Sequence, residues 1–293
     1  MDIKNATQNY LDNMNFVYGA AGHYGGDQSY PKNNIDEVRD IVTKYHPDFS
    51  EKEIKDFLTK LSSEGCTYTA FANTVFLYFR EEEELYEKIF GLPFRDSYGY
   101  PNINALVVDF YSAMDNHNPL NFGLYKEDYV DNQEDYSDVK GKGVNEKQIE
   151  WRFELYMRKH GIRVDVKLLD KSEVYSSYEK IASKGPLVVS VNPTNFYNVY
   201  GKLVKELTGG HSMSVTGMDF PLGKFDSENG FLFRVSSWGD KYYIKPGAYS
   251  KYEYYQQVVY KKIPRSALRR WMIAHLEFPR PIWVKIFAWF LSR

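Results

Sequence analysis

The hydrophobic period changes once along this chain, and that change constrains the fold more than any other feature. Up to about residue 160 apolar residues recur at helical spacing; beyond it they alternate. Ser50-Glu51-Lys52-Glu53 reads as a capping box, opening an amphipathic helix through Ile54, Phe57, Leu58 and Leu61. Ser62-Ser63-Glu64-Gly65 breaks that pattern. A more apolar segment follows, with Ala70, Phe71, Asn73, Thr74, Leu77 and Tyr78 at the spacing of a largely buried helix headed by Cys66. Further helices are expected around residues 103–114 and 149–160, the second ended by Gly161. Strands are expected at 163–169, 187–191, 211–218 and 231–235, with shorter ones at 241–244 and 256–261. A helical half followed by a mostly antiparallel half is an α+β architecture. The expected organisation is an N-terminal extension over 1–45, a domain over 46–263 (helical to 160, β from 161), and a C-terminal tail over 264–293.

Composition removes several classes of function. Lys plus Arg number 37 against 39 Asp plus Glu, a net charge of −2, which argues against nucleic acid as the main partner. A single cysteine excludes an internal disulfide framework and a Cys-rich zinc site. His46, His117, His160 and His275 fall at no paired-ligand spacing, so no metal and no cofactor is expected. The acidic run of Asp128, Asp131, Glu134, Asp135 and Asp138 lacks calcium-loop order and reads as a solvated loop. Gly19, Gly22, Gly25 and Gly26 lack the preceding strand and following Lys-Ser or Lys-Thr of a phosphate loop. The first 20 residues hold no unbroken apolar run and no stretch reaches spanning length, so a soluble, cytoplasmic protein is expected.

Three segments can carry chemistry. Cys66 follows Gly65 at the head of the buried helix, where unpaired backbone N–H groups and the helix dipole favour a thiolate and can bind a developing oxyanion. A lone cysteine is otherwise a small buried hydrophobe. His211 follows Gly209-Gly210 at the start of an alternating strand, positioned to act as a general base toward a thiol. The strand from Phe231 runs into Ser236-Ser237-Trp238-Gly239-Asp240.

In this order the three segments resemble the papain-like cysteine peptidase superfamily. The His segment and the Ser-Trp-Gly turn look most like the bleomycin-hydrolase branch. The Gly65-Cys66 segment and the strand after Gly185-Pro186 are similar to the bacterial C39-like peptidases. The resemblance covers roughly residues 50–260 and implies a papain-like fold: a helical subdomain carrying the Cys helix, packed on an antiparallel sheet or barrel carrying the His. It implies a Cys66/His211 dyad hydrolysing a peptide or amide bond, Ser236 orienting the imidazole where the family has Asn, and Trp238 shielding that contact. Gly65 and Gly210 are supporting positions. The family's oxyanion Gln has no counterpart before Cys66; Gln28 is the nearest upstream Gln. Because of these departures, two other readings stand beside the hydrolase: a papain-fold protein that binds without catalysing, and a Cys-dependent acyltransferase. The tail sets Arg265, Arg269, Arg270 and Arg280 beside Trp271, Trp283, Phe287, Trp289 and Phe290. That pattern fits a helix folded back on the body, or an interfacial helix on anionic lipid.

Overall fold

A computed structural model of the chain describes residues 24–114, 146–220 and 230–276. The helices in chain order are α1 (Tyr30–Asn33), α2 (Ile35–Tyr45), α3 (Glu51–Glu64), α4 (Cys66–Phe79), α5 (Glu83–Phe90), α6 (Ile103–Met114) and α7 (Glu146–Lys159). After β1 (Val164–Leu169) comes α8 (Lys171–Ala182). Then follow β2 (Leu187–Asn192), β3 (Thr194–Tyr197), β4 (Leu203–Leu207), β5 (His211–Asp219), β6 (Leu232–Ser237), β7 (Asp240–Ile244), β8 (Tyr252–Tyr260) and α9 (Ala267–Leu276). The strands form one sheet in the order β1-β8-β2-β5-β6-β7-β3-β4, with antiparallel pairing throughout. The α+β class is therefore as expected.

The capping box forms as the sequence requires: the Glu53 carboxylate accepts from Ser50 N–H at 2.7 Å, and Ser50 Oγ accepts from Glu53 N–H. The break before Cys66 is sharper than expected. Helix α3 continues through Glu64 and the chain turns at Gly65 alone, where a Cβ would sit 2.5 Å from the Leu61 carbonyl oxygen, so the turn as built has room only for glycine.

The sheet is covered on both faces. In β5, Ser212 and Ser214 turn toward α4, where Ser214 Oγ donates to Ala70 O at 2.8 Å. His211, Met213 and Val215 turn the other way by strand alternation. That second face is covered by α8, whose Tyr178 ring packs 5.1 Å from Phe233. One core cluster joins both helical layers to the sheet, with Phe71, Phe76, Leu106 and Phe153 from the helices beside Val188, Val189, Val235 and Tyr255 from the strands.

Residues 24–45 do not stand apart as an extension. Val38 and Val42 of α2 are buried in the core. Tyr24 N donates to Gly239 O at 2.7 Å, and its hydroxyl shares a 2.7 Å hydrogen bond with Thr216. At the other end, α9 folds back: Ile273 is buried, and the missing side chain of Gly161 makes room for Arg270, whose Cβ a Cβ there would meet at 2.4 Å. The acidic run, His117 and the tail beyond residue 276 lie outside the described residues. No helix among the described residues is long and apolar enough to cross a membrane.

Candidate active site

Helix α4 and strand β5 run against each other along a polar seam. Thr67 Oγ1 and Ser212 Oγ share a hydrogen bond of 3.1 Å, and Ser212 Oγ shares a second, of 2.7 Å, with Ser190. Further along, Asn73 Nδ2 donates to Ser214 Oγ at 3.1 Å and Ser236 Oγ at 3.3 Å, while its Oδ1 accepts from Gly26 N–H at 2.9 Å. These polar groups are buried and matched to one another, as burial demands.

Cys66 and His211 are the chain neighbours of Thr67 and Ser212, so the hydroxyl contact sets both at the same corner of the fold. The half-buried Cys66 thiol has Thr67 Oγ1 3.8 Å away, and among the described residues no hydrogen bond joins it to His211.

The imidazole lies on the α8 side in an aromatic setting. Its Nε2 is 2.7 Å from Ser237 Oγ, and its ring stacks on Trp238 with centroids 4.3 Å apart and planes 16° apart. Phe196 meets the ring edge at 6.1 Å. Lys205 Nζ sits 3.6 Å from the outer face of the same indole, a cation–π contact. The ring is 6% exposed. Burial, with Lys205 adding a like charge, pushes the His211 pKa down to about 3, so the imidazole is neutral at physiological pH.

The hydroxyl that meets His211 belongs to Ser237, one residue beyond the position the family spacing marks. Ser236 pairs with Ser214 across the ladder and so shares the α4 face, where its Oγ donates to Tyr24 O at 2.6 Å. The signal for Ser237 was present in the sequence: Phe233 and Val235 are core positions of β6, and period two from them reaches Ser237. The turn that follows is constrained. Trp238 has φ 48° and Gly239 φ 72°, both left-handed, as a two-residue hairpin turn of this kind requires. A bulky residue rarely adopts that conformation, and the ring contacts on both faces of the indole hold it there.

Gly210 serves packing: a Cβ there would meet the Tyr252 hydroxyl at 1.8 Å. Gln28 is buried, and its Nε2 donates to Ser62 O at 2.9 Å, in the last turn of the helix that leads into Gly65 and Cys66. Thr67, Lys205 and Phe196 are not marked by the sequence, and Asn73 and Ser212 read there only as positions of a buried helix and a strand, because each matters through partners distant in the chain. Among the described residues no three His, Cys, Asp or Glu side chains gather as a metal site. No protein-family model, no curated protein and no solved structure matches the chain.

Proposed function

We propose that this is a papain-like thiol hydrolase that cleaves a peptide or amide bond with Cys66 as nucleophile and His211 as base. The observation that carries the reading is the fixed imidazole: Nε2 tied to Ser237 Oγ at 2.7 Å beneath the Trp238 indole, one residue from the Thr67–Ser212 contact that sets Cys66 at the same corner. With Nε2–H donating to Ser237, Nδ1 keeps a lone pair that no described residue occupies. That nitrogen takes the thiol proton as Sγ attacks the carbonyl, forming a C–S bond, and returns it to the leaving amine. Water then hydrolyses the thioester by the same route. The first N–H groups of α4 and the second amide hydrogen of Gln28 are the donors for the oxyanion. The left-handed Trp238 adds support, since backbone strain gathers at functional positions.

The burial of His211 and the absence of a thiol–imidazole hydrogen bond favour a second reading, a fold that binds without catalysing. The mass of the protein after brief treatment with an epoxysuccinyl inhibitor separates the two. Hydrolysis predicts a single adduct on wild type, lost in Cys66→Ala, slowed in His211→Gln and Ser237→Ala, and unchanged in a folded Ser236→Ala. No adduct on folded wild type overturns the hydrolase. An adduct without amide cleavage, but with transfer to an added amine, assigns the dyad to acyl transfer.

A further inference from the structure

The edge of the sheet formed by β1 holds a cavity that this chemistry does not use. It is separated from β5 by β8 and β2 and has a volume of about 690 Å³. Its walls come from the last turns of α7, the start of β1 and the residues just past β8. Each wall brings cations: Arg158 from the helix, Arg163 and Lys167 from around the strand, and Lys261 and Lys262 beyond β8.

Two carboxylates share the lining, and both are engaged. Glu154 Oε1 accepts from Val166 N–H at 2.9 Å, and Asp165 Oδ2 pairs with Lys261 Nζ at 2.6 Å. Burial raises the Glu154 pKa, which weakens its hold on negative charge. Among the described residues Lys167 and Lys262 have no ion-pair partner. An excess of cations around a concavity focuses a positive field into it and favours a multiply charged anion over a single carboxylate. Arg158 and Arg163 already have partners, so the ammonium groups of Lys167 and Lys262 are the charges open to phosphate oxygens, which lysine meets as a point charge. Ile162 and Val164 lie beneath the groove and are themselves buried in the core, so apolar contact with an occupant falls to the aliphatic stems of the lining lysines and arginines.

Glu154 also decides the shape of the occupant. By bonding the outward Val166 N–H it blocks the backbone edge that an added peptide strand would use, so an extended peptide is disfavoured and a compact ligand favoured. The volume lies within the range of small-molecule sites.

We propose that this groove binds a soluble organic phosphate carrying two or more phosphate charges, of the size class of a nucleoside diphosphate. The site is independent of Cys66 and His211, and its test does not read hydrolysis.

Isothermal titration of the full chain with ADP, inorganic pyrophosphate and a single-stranded oligonucleotide of about 20 residues separates the sources of phosphate. The expected result is ADP binding with a dissociation constant between about 10 μM and 1 mM, tighter than pyrophosphate because its organic body contacts the aliphatic stems of the lining side chains. Binding should weaken as NaCl rises from about 20 to 200 mM. It should also fall at least tenfold in Lys167→Glu/Lys262→Glu, whose unchanged melting curve would show the fold intact. No heat from ADP or pyrophosphate at millimolar concentration overturns the proposal, as does ADP binding that survives the double substitution. Pyrophosphate binding as tight as ADP would overturn the organic body and leave a bare phosphate site. Oligonucleotide binding without ADP binding would assign the groove to nucleic acid instead.

Discussion

The buried imidazole makes the stability of the protein depend on pH in a way that one substitution can isolate. The folded-state pKa of His211 lies near 3, while an unfolded chain titrates near the ordinary value of 6.5. Between those values the unfolded chain binds a proton that the folded chain does not. This contribution is therefore fully present above pH 6.5 and is lost as pH falls toward 3. From pH 7 to pH 4.5, still above the folded pKa, two units of differential protonation amount to about 2–3 kcal/mol. Glutamine is the informative replacement, since it offers Ser237 a hydrogen-bonding partner and carries no titrating group. Urea unfolding of wild type and His211→Gln at pH 7 and 4.5 gives the difference directly. Wild type should lose about 2–3 kcal/mol more than the variant over that interval, and losses from carboxylates and from buried His160 should cancel between them. Parallel losses would refute the reasoning, because they would mean that the ring accepts a proton without leaving its place between Trp238 and Ser237.

Other parts of the framework make separate predictions. Asp109 is fully buried and accepts from Lys44 Nζ at 2.9 Å, Tyr45 OH at 3.0 Å and Tyr156 OH at 2.7 Å. Asp109→Ala leaves the buried Tyr156 hydroxyl without its acceptor, while the half-exposed Lys44 ammonium returns to water; it should cost about 1–3 kcal/mol in urea unfolding, with no measurable loss contradicting the network. Asn73→Ala removes the amide that joins Gly26, Ser214 and Ser236, and should lower stability by about 2–4 kcal/mol on the same assay. Gly25 and Gly91 both have positive φ, but a Cβ at Gly25 would lie 2.0 Å from Ser236 Oγ while one at Gly91 meets nothing within 4 Å. Gly91→Ala should therefore cost about 1 kcal/mol from conformation alone, and Gly25→Ala clearly more; equal costs would contradict the packing of residues 24–26.

What the sequence made legible was local. The capping box at Ser50, the buried period of α4 and the alternation of β5 each depend on neighbours a few residues away, and each forms where the pattern places it. Helix α8 was missed although Val174, Tyr178 and Ile181 are its buried positions, because Ser172, Ser176 and Ser177 dilute the pattern and Ser177 departs from helical geometry. Strand β4 was missed because it is an edge strand with four exposed residues, so no buried face imprints an alternation on Leu203–Leu207. The docking of residues 24–28 was out of reach, since its bonds run to Thr216, Asn73 and Ser236 across the whole chain.

The hydroxyl that meets His211 lies one residue beyond the Ser236 that the sequence pattern marks, and Trp238 shows why that register matters. Read as a strand end, Ser-Trp-Gly implies a Trp buried by its own strand. In the fold it is the first of two left-handed turn residues, and its ring is clamped between His211 and the Lys205 ammonium. Trp238→Asn places a residue that tolerates this turn, relieving about 1 kcal/mol of backbone cost. It also removes the stacking and cation–π contacts, each worth about 0.5–2 kcal/mol, so the variant should be no more stable than wild type. The sharper effect falls on His211. Uncovered on one face, the ring regains water and its pKa should rise from about 3 toward the ordinary histidine range, followed by NMR titration of its ring protons. An unmoved titration in a folded variant would mean that the indole is not what keeps water from the imidazole, and the shielding role given to Trp238 would fall with it.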